Sequence, residues 1–301
     1  MVVTAAIFLA LFGGPSSAST SNGSWNLLPV FSPFYAHVVQ YTALGASDAV
    51  GVGSSRPCAT NGNPPIPHPV DCPRGTGYVP DIRTSLSNNT TAVRLTDVGV
   101  SGAVIGPDIQ EMAMDYGRDT TGNLIQQELP YVTRGLNIIT IFAGANDTLA
   151  IAQAVNLGAG FLNSQAFIDQ EVTQFGNDYV DLIAGTGGIR SRSPNAKIIV
   201  ANVPNLGGLP FAAGFPRVER RLLQNISVEI DKKVINRLTS LHVAVVDALC
   251  DPRTYARSNF SGDGYHPNDA GYDLLAANML NAIRSPSYPL PRASCLQMSL
   301  L

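Results

Sequence analysis

The sequence predicts an α/β protein whose core is a parallel sheet of five strands. Short apolar runs rich in valine and isoleucine alternate along the chain with amphipathic segments, which is the pattern of a parallel sheet covered by helices on both faces. The apolar runs are continuous rather than alternating with polar residues, as expected for strands buried on both faces. With 301 residues, 45% of them hydrophobic, the chain is long enough for one large domain with a sizeable core.

Five strands and three helices account for most of this pattern. The helical segments carry apolar residues three or four positions apart beside a polar face, and Asn268 precedes the last of them as its expected N-cap. Right-handed crossovers between successive strands then give one doubly wound sheet. In chain order we predict strands at 40–44, 92–98, 136–143, 196–203 and 242–247, and helices at 165–184, 217–240 and from residue 269 onwards.

The first residues predict a secretory signal peptide. An apolar run at 2–12 is followed by Gly13-Gly14-Pro15 and by small residues around Ala18, which is typical of a signal sequence cleaved near residue 18. This run is too short to cross a bilayer, and the weaker alternative for it is a buried N-terminal strand. We therefore expect residues 1–18 to be removed and residues 19–301 to form a single secreted domain without an integral membrane segment.

The four cysteines fit an extracellular location, where disulfides persist. Cys58 and Cys72 flank a loop rich in proline and glycine, and a disulfide between them would tie that loop down. Cys250 would then pair with Cys295 and hold the C-terminal tail, although four cysteines allow three pairings and the sequence does not choose among them. Candidate N-glycosylation sequons, which also suit a secreted protein, begin at Asn22, Asn88, Asn89, Asn225 and Asn259.

The charge pattern argues against several classes of partner. The formal net charge is −3, and no run rich in lysine and arginine suggests binding to nucleic acid or to an anionic membrane. No C-x-x-C motif and no cluster of histidine and cysteine suggests a metal site. We expect a monomer that binds neither metal nor nucleic acid.

Small and polar residues follow the predicted strands, and these strand ends are where doubly wound sheets bind ligands. Ser47 follows the first strand; taken alone it is equally a turn residue. A serine hydroxyl becomes a nucleophile when a base takes its proton and a third group orients that base. Of the four histidines, His266 alone lies at the carboxyl edge of the sheet, and Asp263 precedes it by three residues. The three side chains have the residue types of a catalytic triad.

Hydrogen-bond donors for a developing oxyanion are also available at this edge. The N–H groups of Ser47 and Gly102 and the side-chain amide of Asn146 are the candidates, with a strand-ending turn as the alternative role for Asn146. The competing serine architecture is the G-x-S-x-G elbow of α/β-hydrolases. Here the final glycine of that motif is replaced by Ala49, and Ser47 follows the first strand, which excludes that fold.

Taken together, the residues resemble the SGNH hydrolases, also called the GDSL esterase/lipase family. Ser47 matches the nucleophile block, Gly102 the second block, the segment 144–147 the G-x-N-D block and the segment 263–266 the D-x-x-H block. The four blocks occur in the family's order and frame residues 40 to 284. The segment 202–207 further resembles the plant and fungal lipase-like branch, so a secreted fungal-type member is expected.

The resemblance implies a flavodoxin-like three-layer α/β/α sandwich, an SGNH hydrolase domain over residues 19–301 and a carboxylic ester hydrolase without a cofactor. It implies Ser47, Asp263 and His266 as the triad, and the Ser47 N–H, the Gly102 N–H and Asn146 as the oxyanion hole. One departure is plain, because the family usually has aspartate where this chain has Ala46. How the nucleophile turn is braced is therefore open, with Asp48 as one substitute.

The substrate class stays broad at this point. The apolar loop 204–215 follows the fourth strand at the catalytic edge and would line an acyl pocket or pack on its own domain. Small or polymer-linked acyl esters fit, including acetylated polysaccharides, phospholipids and triglycerides. Two alternatives to ester hydrolysis remain: acyl transfer on the same fold, and a catalytically silent secreted binding protein.

Overall fold

The sheet has five parallel strands in the order β2-β1-β3-β4-β5. The computed structural model describes residues 37–58, 71–72 and 74–301, so the expected signal peptide and the sequon at Asn22 lie outside the described residues. All five predicted strands are present, with ends that differ by a few residues. They are β1 (His37–Gly45), β2 (Thr91–Asp97), β3 (Ile138–Phe142), β4 (Lys197–Ala201) and β5 (Ala244–Val246).

Helices cover both faces of the sheet, which confirms the predicted three-layer α/β/α architecture. They are α1 (Tyr78–Leu86), α2 (Pro107–Asp115), α3 (Ala145–Asn156), α4 (Ser164–Ala184), α5 (Ile189–Arg192), α6 (Arg217–Lys233) and α7 (Asp269–Arg284). The apolar faces of α1 and α7 pack in one core with side chains such as Tyr41. Buried residues of α2 through α6, such as Phe175 of α4, form the second core with the opposite face of the sheet.

One helix prediction needs correction. The helix predicted at 217–240 ends at Lys233, and a 3-10 segment, Ile235–Leu241, follows it. The backbone of Val234 is not helical. Val234 and Ile235 are both buried, although one apolar stripe of a regular helix does not bury two successive residues.

Both expected disulfides are formed. Cys58 pairs with Cys72 at a Cα–Cα distance of 5.5 Å, and Cys250 pairs with Cys295 at 5.7 Å. The second bond joins the segment after β5 to the C-terminal tail. Within the parts of the chain that the structure describes, no helix is both long and apolar enough to cross a membrane.

Candidate active site

The turn after β1 places Ser47 at the carboxyl edge of the sheet. Gly45 ends the strand with φ +143°, and a Cβ atom there would lie 2.4 Å from the carbonyl oxygen of Phe142, so only glycine fits. Ser47 sits two residues later with 5% of its surface exposed. Its carbonyl accepts a hydrogen bond from the Val52 N–H at 2.9 Å, which closes the turn.

Ser47, His266 and Asp263 form a continuous hydrogen-bonded chain. Ser47 Oγ lies 3.0 Å from His266 Nε2, and His266 Nδ1 lies 2.6 Å from Asp263 Oδ2. The distances are within hydrogen-bonding range although Ser47 is separated from His266 by 219 positions in the sequence. The structure thus brings together the three side chains that sequence reasoning proposed as a triad.

Asp263 is held as an anion by the loop that carries it. Burial alone would raise its pKa, but hydrogen bonds from His266, from the Tyr265 and His266 N–H groups and from the Ser261 hydroxyl hold the pKa of this carboxyl well below its usual value. An ionised carboxylate only accepts hydrogen bonds. His266 Nδ1–H therefore donates to it, and the lone pair on Nε2 faces the Ser47 hydroxyl.

The three candidate oxyanion donors lie on neighbouring segments. Among the described residues, neither the Ser47 N–H nor the Gly102 N–H has a protein acceptor. The Asn146 amide donates to the Ala103 carbonyl at 2.9 Å, which fixes the side chain and leaves its second N–H unused. Three N–H donors at this edge are thus available for an acceptor from outside the protein.

Asn146 does not end a strand in a turn; it lies in the first turn of α3. Gly144 precedes the helix with φ +117°, where a Cβ atom would lie 2.7 Å from Val203 Cγ2. The adjacent Asp147 is fully buried and accepts a hydrogen bond from the Ile105 N–H at 2.9 Å. Burial raises the pKa of Asp147 to about 7, although the hydrogen bond from the Ile105 N–H acts in the opposite direction. Asp147 thereby ties α3 to the loop that carries Gly102, a role that sequence reasoning missed.

The Asp48 carboxyl lies between the nucleophile turn and α7. Tyr272 of α7 donates its hydroxyl proton to the Val52 carbonyl at 2.7 Å, and Asp48 Oδ1 lies 3.4 Å from the same hydroxyl. Burial raises the pKa of Asp48 above its usual value, and hydrogen bonds from Tyr272 and from its own backbone N–H act in the opposite direction. Ala46 beside it is buried and offers only a methyl group.

Two cavities meet at the site. The smaller one is lined by Ser47, Asn146 and neighbouring residues of the β1 and β3 ends. The larger, a narrow cleft with a cavity volume of about 70 Å³, is mostly apolar, and part of the loop 204–215 lines it. The residues common to both linings are Asp48, Phe142, Ala145 and Tyr265.

The apolar loop after β4 also approaches the catalytic histidine candidate through aromatic contacts. The ring of Tyr265 packs edge-on against His266 at a centroid distance of 4.8 Å and against Phe211 at 5.1 Å. The loop therefore contributes to the site rather than packing only on its own domain.

Across the described segments, no group of three or more histidine, cysteine, aspartate or glutamate side chains is arranged to hold a metal ion.

Comparison with known families and structures agrees with this geometry. The family model described as "GDSL-like Lipase/Acylhydrolase family" matches residues 43–274. A comparison with curated proteins by sequence gives no match.

Three solved structures with the same fold are two Streptomyces enzymes and one lipase from a metagenome. The extracellular lipase of Streptomyces rimosus has a TM-score of 0.54 and 21% identity, with 81% of this chain and 99% of that chain covered. The phospholipase A1 of Streptomyces albidoflavus NA297 has a TM-score of 0.52 and 18% identity, with 83% and 99% covered. The lipase Lip_vut3 from a goat rumen metagenome has a TM-score of 0.50 and 18% identity, with 85% and 100% covered.

Proposed function

Since this chain belongs to the GDSL-like lipase/acylhydrolase family and is a carboxylic ester hydrolase, we propose that Ser47, His266 and Asp263 carry out the hydrolysis as its catalytic triad. The observation that carries the proposal is the hydrogen-bonded chain from Ser47 Oγ through the imidazole of His266 to the Asp263 carboxylate. A nucleophile, a base and an anion that orients the base are the groups that acyl transfer requires.

The reaction proceeds in two steps through an acyl-enzyme. His266 Nε2 takes the proton of Ser47 as Oγ attacks the ester carbonyl, and the imidazolium that forms is stabilised by Asp263. The tetrahedral intermediate collapses, His266 passes the proton to the leaving alcohol, and Ser47 remains acylated. Water then gives a proton to His266 Nε2 as its oxygen attacks the acyl carbonyl. The second tetrahedral intermediate collapses with cleavage of the bond to Ser47 Oγ, which takes the proton back from His266 as the carboxylic acid leaves.

The negative charge that develops on the carbonyl oxygen is stabilised by the N–H groups of Ser47 and Gly102 and by the Asn146 amide. Two features support this assignment. The backbone donors lack a protein acceptor among the described residues, and the Asn146 side chain is held by its hydrogen bond to the Ala103 carbonyl, so each of the three groups has an N–H free for the substrate oxygen. Donors that are oriented in advance contribute strongly to transition-state stabilisation.

Replacing Asn146 with alanine should lower kcat by about 10²–10³-fold with little change in KM, because the lost donor acts on charge that is present only in the transition state. Steady-state kinetics on a soluble ester measures this. Asn202→Ala is a matched control, since Asn202 is a buried asparagine that follows β4 and binds the Leu249 N–H at 2.8 Å. It should lose stability and keep kcat. A loss below about threefold for Asn146→Ala would leave Asn146 a purely structural residue.

The acyl group of the substrate is proposed to extend from Ser47 into the apolar cleft. The shared lining of the two cavities supports this direction, and Pro204, Leu206 and Leu209 give the cleft an apolar wall. The Streptomyces structures with this fold are named as a lipase and a phospholipase A1, which are enzymes of acyl esters. Esters of small to medium apolar acyl groups are therefore the proposed substrate class.

A series of p-nitrophenyl esters of increasing acyl length, with acetylated xylan beside it, tests the substrate class. We expect hydrolysis to continue beyond the acetyl ester into the medium-chain esters, because added methylene groups gain apolar contact in the cleft. Activity confined to acetyl groups would contradict the acyl assignment. The Ser47→Ala variant gives the background rate of hydrolysis. Adding alcohol acceptors to the same assay separates acyl transfer from hydrolysis.

The enzyme is further proposed to act outside the cell. Its two disulfides close loops of 14 and 45 positions, and such bonds persist in oxidising compartments. The sequons at Asn88, Asn89 and Asn225 are exposed and are proposed as glycosylation sites, while Asn259 is partly covered. Recovery of the native protein from the culture medium rather than from the cells measures its location directly.

A further inference from the structure

One buried acid close to the nucleophile turn has no role in the chemistry described above. Glu128 is fully buried and ends a short π-helical segment, Leu124–Glu128, in the connection between α2 and β3. π-Helical turns are rare and occur often at functional sites. Among the described residues no cation forms an ion pair with Glu128, so charge neutralisation does not explain why a carboxyl is buried here.

The contacts of Glu128 connect the two loops that carry the catalytic groups. The Gly45 N–H donates to Glu128 Oε2 at 2.8 Å, two residues before Ser47. The Gly45 carbonyl in turn accepts a hydrogen bond from the Val100 N–H at 3.0 Å. Val100 is two residues before Gly102, so Glu128 holds the residue that links the nucleophile turn to the oxyanion loop.

Neither Ala46 nor Asp48 makes this contact with Gly45. Ala46 has no polar atom in its side chain, and the carboxyl of Asp48 lies against Tyr272 of α7. Gly45 has a φ of +143°, which favours glycine, and its N–H donates to Glu128. The conformation of the turn therefore depends on an acceptor that comes from 83 positions away in the sequence.

We propose that Glu128 is a positioning residue for ester hydrolysis, whose carboxyl fixes the end of β1 against the loop after β2 and so holds the Ser47 hydroxyl in line with the N–H donors of the oxyanion hole. This inference rests on the proposed roles of Ser47 and Gly102. Glu128 is not placed against substrate; it acts through the backbone of Gly45, which in turn bonds Val100.

The buried environment of Glu128 favours the neutral carboxylic acid over the carboxylate. Burial raises the pKa of Glu128 well above its usual value, the Gly45 N–H opposes this, and the nearby carboxyl of Asp97 raises it further. A protonated carboxyl keeps a carbonyl oxygen for the Gly45 N–H, and the amide of glutamine has the same shape and the same acceptor. Glutamine should therefore replace Glu128, whereas alanine should not.

The test compares Glu128→Gln and Glu128→Ala, with kcat, KM and the thermal midpoint measured separately. Glu128→Gln should keep kcat within about threefold, and Glu128→Ala should lower kcat by about 10–100-fold at nearly constant KM, because small displacements of a nucleophile are costly. Asp231→Ala is the matched control. Asp231 is also a fully buried acid that accepts one backbone N–H, that of Val203 at 2.9 Å, but at the end of β4. It should lose stability and keep kcat.

Three outcomes would overturn the proposal: an unchanged kcat in Glu128→Ala, an equal loss of kcat in Glu128→Gln and Glu128→Ala, or an equal loss in the Asp231 control. If Glu128→Ala does not fold, Glu128→Asp makes the same comparison, since it retracts the carboxyl by one methylene and should lower kcat about tenfold while Glu128→Gln stays active. The proposed function is tested apart from this by Ser47→Ala, whose retained activity would refute the nucleophile whatever the Glu128 variants do.

Discussion

Replacing Ser47 with alanine should abolish ester hydrolysis, lowering kcat by about 10⁶-fold, the size of loss expected when a triad nucleophile is removed. The change deletes one oxygen atom, and among the described residues the Ser47 hydroxyl bonds only to His266. The turn around Ser47 is built from backbone groups and Gly45, which the substitution leaves in place. The thermal midpoint should therefore stay close to that of the parent. Initial rates on the best p-nitrophenyl ester and a thermal melt measure both expectations.

Ser101→Ala is a suitable control for this substitution. Ser101 lies at the same edge of the sheet, in the loop after β2, and its hydroxyl makes no hydrogen bond among the described residues. Its removal should leave kcat within about threefold, in line with the small effect of most surface substitutions. Hydrolysis retained by Ser47→Ala, in protein shown to be folded, would refute the assignment of Ser47.

The second large effect is expected from His266→Ala, which should lower kcat by about 10⁴–10⁶-fold because the hydroxyl of Ser47 then has no base. The substitution leaves a space next to Ser47 and Asp263 with the shape of an imidazole ring. Added imidazole should therefore restore part of the activity, in proportion to its concentration until the space is saturated. An imidazole titration of the variant measures this.

The control for His266→Ala is another histidine far from the site. His37 is exposed at the start of β1, at the opposite end of that strand from Ser47, and His37→Ala should keep full activity without any response to imidazole. Wild-type activity in His266→Ala would contradict the assignment of the base.

Much of the fold could be predicted because its signals are local. The strands are short continuous apolar runs, and α4 has buried residues such as Ile168, Phe175 and Leu182 at helical spacing. The helices that were missed lack these signals: α1 and α2 have nine residues each, and α3 begins within a Gly-Ala-Asn-Asp segment that resembles a turn. Helices of this length are held by packing against the sheet, which sequence periodicity does not report.

The candidate site likewise includes residues that local sequence signals indicate and a contact that they do not. Ser47, Asn146 and His266 could be proposed from the sequence because each follows a strand, and the carboxyl ends of parallel strands meet at one edge. Glu128 could not be proposed because it follows no strand and belongs to no motif considered from the sequence. Its relation to Gly45 is a single hydrogen bond between residues 83 positions apart, and only the folded backbone brings the two together.

The central claim, that Ser47 is the residue acylated during hydrolysis, is tested most directly by mapping a covalent adduct. The enzyme would be treated with a fluorophosphonate, which reacts with activated serines, and then digested and analysed by mass spectrometry. In the parent enzyme we expect Ser47 alone to be labelled, at the same rate as activity is lost. In His266→Ala we expect Ser47 to be labelled much more slowly. An adduct on any other residue that accounts for the loss of activity, or full inactivation with Ser47 unmodified, would contradict the claim.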